Sequence, residues 1–207
     1  IVKLFFRKYG EAGPPLVIVH GLYGASDNWV SIARDLSDRF EVFVVDQRNH
    51  GQSPHSPQHD YPSMRDDLKK FMDAEGIEQA VLIGHSMGGM IARNYVQSRG
   101  GAEHVYGIVT LGSQHHGSKL APFAISPMGR NLLPGSEFLT RFNSVPWPEQ
   151  SKAVSIYTRY DNIVLPAESA KMQGAQIVEL DGMGHTSLLF HPRSLQAVIE
   201  AVDQITP

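Results

Sequence analysis

The chain has no cysteine. That one absence removes disulfides, thiolate metal sites and a cysteine nucleophile together, and it is compatible with either redox compartment. No apolar run approaches the roughly 20 residues of a membrane-spanning helix. No Lys/Arg cluster is present either: 18 Lys and Arg against 21 Asp and Glu leave a net charge of -3. Such a chain has no basic footprint for nucleic acid or for an anionic membrane surface. Internal repeats and low-complexity tracts are missing as well. Ile1-Val2-Lys3-Leu4-Phe5 lacks the three-part layout of a signal peptide. A cytoplasmic location is therefore the expectation, a leader trimmed ahead of Ile1 being the alternative. With 207 residues, 42% hydrophobic and 19% charged, one domain with a sizeable core is expected, spanning 1–207.

Short apolar runs alternate with helical patterns along this length. Leu16 to His20, Glu41 to Asp46, Gln79 to Gly84, Val105 to Leu111, Ala153 to Thr158 and Gln176 to Leu180 read as strands. Several are nearly unbroken in Val, Ile and Leu, as strands covered on both faces are. Val2 to Arg7 reads as an edge strand. Asn28 to Ser37, Met64 to Ala74, Met90 to Ser98 and Ser194 to Gln204 carry helical spacing, and Ser63 with Asp66 forms an expected capping pair. Strand–helix alternation predicts an α/β fold with a mostly parallel, doubly wound sheet of about seven strands and helices on both faces. Gln114 to Gln150 breaks the alternation. It is rich in Pro and Gly, with scattered apolar residues including Leu120, Phe123, Ile125, Met128, Leu132 and Phe142. Loops this long are usually functional or carry structure of their own. The expectation is a short lid or a wall of an acyl-binding groove; a packed surface excursion is the plainer alternative.

The chemistry concentrates at Gly84-His85-Ser86-Met87-Gly88. It follows an apolar strand and leads into a helix, the setting in which G-x-S-x-G presents a serine on a sharp turn above the sheet. A serine is a weak nucleophile unless a hydrogen-bonded imidazole takes its proton and a carboxylate fixes that imidazole's tautomer. Asp161 directly follows the strand ending at Thr158, and His185 sits in the glycine-rich turn Gly182-Met183-Gly184 after the strand ending at Leu180. Both thus fall at carboxyl ends of strands, where α/β sheets place reacting groups. Asp181 is the rival acid, four residues before His185. Backbone N–H groups of Leu22 and Met87 are the expected oxyanion donors. Leu22, Tyr23, Met87, Phe123 and Ile163 are the candidate walls of the substrate site. His20 and His85 read as structural histidines, and His115-His116 lacks the acidic partners of a metal site. No metal and no organic cofactor is expected. The glycine spacing suits neither a dinucleotide site nor a P-loop.

These motifs resemble the α/β-hydrolase superfamily of serine esterases and lipases over essentially the whole chain. The resemblance is uneven. His20-Gly21-Leu22-Tyr23-Gly24, Asp46-Gln47-Arg48-Asn49-His50-Gly51-Gln52-Ser53 and the elbow are similar to small intracellular cap-bearing esterases. Val109-Thr110-Leu111-Gly112, Leu133-Pro134-Gly135-Ser136 and Asp161-Asn162-Ile163-Val164 resemble compact bacterial lipases. A chimera joined shortly after the elbow and a natural intermediate family would each account for this. The resemblance implies an α/β-hydrolase fold, a triad at Ser86, Asp161 and His185, and an oxyanion hole at Leu22 and Met87. It implies a serine carboxylesterase acting on a small-molecule ester through an acyl-enzyme, and the shortness of the 114–150 excursion, too small for a large mobile cap, adds the expectation of short to medium acyl chains. A true lipase on long-chain triacylglycerols and a non-catalytic ligand-binding module of the same fold are the alternatives.

Overall fold

The computed structural model describes residues 1–98, 100–123 and 127–206. Of the apolar residues in the 114–150 excursion, Ile125 lies outside the described residues. Seven strands form one sheet: β1 (Phe6–Tyr9), β2 (Pro15–Val19), β3 (Glu41–Val45), β4 (Ala80–His85), β5 (Val105–Leu111), β6 (Lys152–Thr158) and β7 (Gln176–Leu180). Their spatial order is β1-β3-β2-β4-β5-β6-β7. Only the β1–β3 pair is antiparallel; all others run parallel.

The unbroken apolar runs follow from burial on both faces. Successive residues of a strand point to opposite sides, and here both sides are core. Val17, Val19, Phe43, Val45, Ala80 and Leu82 pack on one face. Their helical partners there are α2 (Tyr61–Ala74) and α3 (Met87–Gln97), through Met64, Leu68, Phe71, Met90, Ile91 and Tyr95. Leu16, Ile18, Val42, Val44, Val81 and Ile83 pack on the other face. They meet α1 (Val30–Leu36) and α6 (Pro192–Ile205), which contribute Ile32, Leu36, Val198, Val202 and Ile205. The excursion carries helices α4 (Pro127–Asn131) and α5 (Glu137–Ser144). Ser136 caps the latter, its hydroxyl accepting from the Leu139 N–H at 3.2 Å.

Three boundaries differ from the sequence expectation by three residues or more. The edge strand begins at Phe6 rather than Val2. The Val2 N–H donates to Asp67 Oδ1 (2.8 Å) and the Phe5 N–H to Ser53 Oγ (2.8 Å), so these N–H groups go to side chains, while the Phe5 carbonyl accepts from the Asp46 N–H at 2.8 Å. Helix α2 starts at Tyr61, with Pro62 in its first turn and Asp60 as cap accepting from the Ser63 N–H at 2.8 Å. The Ser63–Asp66 pair is thus inside the helix. Helix α3 begins at Met87, directly after the elbow serine, because Gly88 and Gly89 add helical backbone without apolar side chains for periodicity to detect.

One polar link is buried in this frame. Arg48 grips Asp67 with two hydrogen bonds, Nε to Oδ2 at 2.6 Å and Nη2 to Oδ1 at 2.8 Å, both side chains being 1% exposed. It ties the loop after β3 to α2.

Candidate active site

The sheet order places a topological switch point between β2 and β4, and α/β sheets bind ligands outside the carboxyl ends of the strands at such a point. Ser86 stands there, at the end of β4. Its φ of 52° and ψ of -121° put it in a region that L-residues rarely adopt. The turn is held on one side by the Ser86 N–H donating to the Leu111 carbonyl at 2.8 Å. On the other side Gly88 lies so close to the carbonyls of Val19 and His20 that a Cβ there would collide with both. Only glycine lets α3 leave the elbow so near β2.

Asp161 and His185 are brought together by the ends of β6 and β7. His185 Nδ1 and Asp161 Oδ2 are 2.8 Å apart, at 7% and 1% side-chain exposure. The other carboxylate oxygen, Oδ1, accepts from the N–H groups of Ile163 and Val164, each at 2.8 Å. With both oxygens occupied the carboxylate has one orientation available. Asn162 Oδ1 accepts from the His185 N–H at 3.3 Å, and Thr158 Oγ1 donates to the Met183 carbonyl at 2.7 Å, so the two turns brace each other. Gly112, at φ +53°, covers the pair: a Cβ there would stand 3.1 Å from His185 Nδ1 and 3.2 Å from Asp161 Oδ2. Asp181, the rival acid, is exposed, and its carbonyl accepts from Arg193.

Gly21 lies against the elbow, where a Cβ would stand 3.1 Å from that of Ser86, and Leu22, next in the chain, lines the same cleft as the serine. Met87 opens α3, where the first N–H groups of a helix have no partner within it. His20 is fully committed: its Nδ1 lies 2.7 Å from the Gly21 carbonyl and its Nε2 accepts from the Gln47 N–H at 3.0 Å. Burial pushes its pKa down to about 4. Burial, reinforced by the neighbouring His185, takes His85 down to about 3. Both are neutral at pH 7, and His20 in particular is a structural support of the loop.

Ser86, His185, Leu22, Tyr23, Met87 and Ile163 all line one cleft of about 510 Å³. Phe123 does not: it is 81% exposed, and the excursion reaches the cleft with Leu120, Ala121, Met128 and Leu132 instead. A single turn of helix at Ala121–Phe123 turns neighbouring side chains in different directions, which periodicity could not resolve. Sequence reasoning also missed Gln114, whose Nε2 donates to Ser86 Oγ at 3.2 Å. Its position just past the carboxyl end of β5, next to the strand that leads into Ser86, was the available signal. No group of three or more His, Asp or Glu side chains among the described residues could hold a metal ion, and no helix among them is long and apolar enough to cross a membrane.

With strand order, elbow and cleft in place, the alpha/beta hydrolase fold profile matches residues 14–137. The chain belongs to the α/β-hydrolase family. Relatives within and around this family include the Escherichia coli esterase YbfF, 51% identical over 75 residues, which are 36% of this chain and 30% of that protein. The mouse sn-1-specific diacylglycerol lipase ABHD11 is 34% identical over 142 residues, covering 66% of this chain and 41% of the relative. The matched stretches thus span well under half the length of these curated relatives. Among solved structures, an esterase from a marine microorganism superposes with a TM-score of 0.74 at 26% identity, over 97% of this chain and 99% of that one.

Proposed function

We propose that this α/β-hydrolase is a serine carboxylesterase that cleaves soluble esters with short to medium acyl chains. The observation that carries the reading is the buried Asp161–His185 pair at 2.8 Å, whose His185 lines one cleft with a serine held at positive φ. In the proposed reaction His185 Nε2 takes the Ser86 hydroxyl proton while Oγ attacks the ester carbonyl. Asp161 fixes the Nδ1–H tautomer and stabilises the imidazolium. The Leu22 and Met87 N–H groups receive the oxyanion. Collapse breaks the carbonyl–alkoxy bond, and His185 returns the proton to the departing alcohol. Water, deprotonated by the same imidazole, then releases the acid from the acyl-enzyme and Ser86 recovers its proton. The 114–150 excursion supplies the acyl wall through Leu120, Met128 and Leu132.

Two measurements test this. A fluorophosphonate is expected to add covalently to Ser86, with the adduct located by mass spectrometry and activity lost in proportion; an adduct on another serine would overturn the nucleophile. On p-nitrophenyl esters of rising chain length, each buried methylene contributes about 0.8 kcal/mol, so kcat/KM should climb about fourfold per methylene up to about eight carbons and then level off. The diacylglycerol lipase among the relatives supports a second reading, a lipase on long-chain glycerides. A rise sustained to sixteen carbons, or a jump at the substrate's solubility limit, would decide for it. Labelling without turnover on any ester would point to a binding module.

A further inference from the structure

A second cavity, of about 660 Å³, lies at the other end of the sheet, bordered by the first residues of β6 and β7 and by the end of α6. We propose that it is a binding site for a small organic carboxylate, gripped by Arg93 of α3. Arg93 lines this cavity and is 3% exposed. Its Nε donates to Gln97 Oε1 at 2.9 Å, its Nη1 lies 3.4 Å from His115 Nδ1, and its guanidinium stacks 4.3 Å over the Phe142 ring. None of these partners is an anion. No Asp or Glu among the described residues forms an ion pair with it, and its Nη2 makes no hydrogen bond to them.

The contrast with Arg48 is informative. That guanidinium is as deeply buried but faces Asp67 across two hydrogen bonds. Removing a guanidinium from water without a counter-ion is costly. At Arg93 burial lowers the pKa to about 10, with no carboxylate to raise it. An oxyanion entering the cavity would supply the missing partner in the geometry a guanidinium fork favours. Ser151 lines the same space, and its buried Oγ has no hydrogen-bond partner, so a hydroxyl is available to donate to that oxyanion. The remaining wall argues for an organic anion over a bare inorganic one. Val145, Pro146, Trp147 and Pro148 offer apolar surface, and the volume far exceeds that of a single ion. Glu149 and Lys152 also border the cavity, one of each sign, so the net attraction rests on Arg93.

Thermal unfolding of the full chain tests this, with sodium chloride replaced at constant ionic strength by sodium hexanoate, acetate or phosphate. Hexanoate is expected to raise Tm saturably by several degrees, more than acetate or phosphate does. Gln97→Glu places a carboxylate where Arg93 Nε already has a contact. This variant should have a higher Tm in chloride and lose the hexanoate response, and Arg93→Met should lose it too. Hexanoate is also the kind of product the proposed esterase would release. A response that survives unchanged in both variants would therefore come from the catalytic cleft, and it would overturn the Arg93 site while leaving the esterase reading intact. No saturable response, or a larger one to phosphate than to hexanoate, would overturn the proposal as well.

Discussion

Asp161→Asn is expected to lower kcat by about four orders of magnitude while Tm stays close to that of the parent. The expectation follows from how the carboxylate is held. Oδ1 accepts two backbone N–H groups, from Ile163 and Val164, and Oδ2 faces His185 Nδ1. An asparagine must keep its oxygen toward the two backbone donors, because an NH2 there would meet two N–H groups head on. Its NH2 then points at His185 and donates to Nδ1. The imidazole is forced into the tautomer with its proton on Nε2, where it cannot accept the proton of Ser86. Binding contacts are untouched, so the loss should fall on kcat rather than KM. Asp181→Asn is the control. On an exposed side chain it should change kcat by less than about twofold. A reversal of the two effects, measured by steady-state kinetics on one ester, would show that the acid stands at the end of β7 instead of β6.

Asp67→Ala should be the most damaging substitution for stability away from the cleft. It strips Arg48 of its two carboxylate contacts while leaving the guanidinium 1% exposed. Breaking a buried pair from one side costs about 3–5 kcal/mol, which for a chain of this size lowers Tm by roughly 6–20 °C. The carbonyls of Gln58 and Ser63 remain to Arg48, but neither carries a charge. The double variant Arg48→Met with Asp67→Leu should recover much of the loss, since the costly species is a lone buried charge. Denaturant unfolding of the two single variants and the double variant checks this. A double variant as unstable as the sum of the singles would mean that the pair is valued for its contacts, not for neutralisation.

How far the sequence could be read depended on whether a signal was local. The inner strands were legible because burial on both faces leaves an apolar run, and the observed β5 matches the expected limits residue for residue, as does β7, a largely exposed edge strand. The α/β-hydrolase family was legible from the elbow and the loops around it. The start of β1 was not, since Val2 and Phe5 bond to Asp67 and Ser53, partners far along the chain. The cap of α2 went to Asp60 because Pro62 allows a helix to begin before the apolar stripe does. In the cleft, Leu22, Tyr23, Met87 and Ile163 are adjacent to strand ends and were within reach of pattern reasoning. Phe123 ends a single three-residue turn of helix, too short for a period to link sequence position to direction. Gln114 was overlooked for a different reason: a glutamine has no motif, and its meaning comes only from standing 3.2 Å from Ser86 Oγ.

The buried histidines around the cleft set a limit of another kind. His20 and His85 are held neutral well below the pH at which an unfolded histidine protonates, and burial, with Arg93 close by, depresses His115 well below its ordinary value too. Above about pH 6.5 none of the three takes up a proton in either state, and their contribution to stability is complete. Below it the unfolded chain gains protons that the folded one refuses. Each site then withdraws roughly 1.4 kcal/mol per pH unit until its own folded pKa is reached. Acting together over about two units, they withdraw roughly 8 kcal/mol, a large part of the usual stability of about 5–15 kcal/mol. Mild acid thus acts on this molecule from the inside, through buried imidazoles of which two, His20 and His85, line its own cleft.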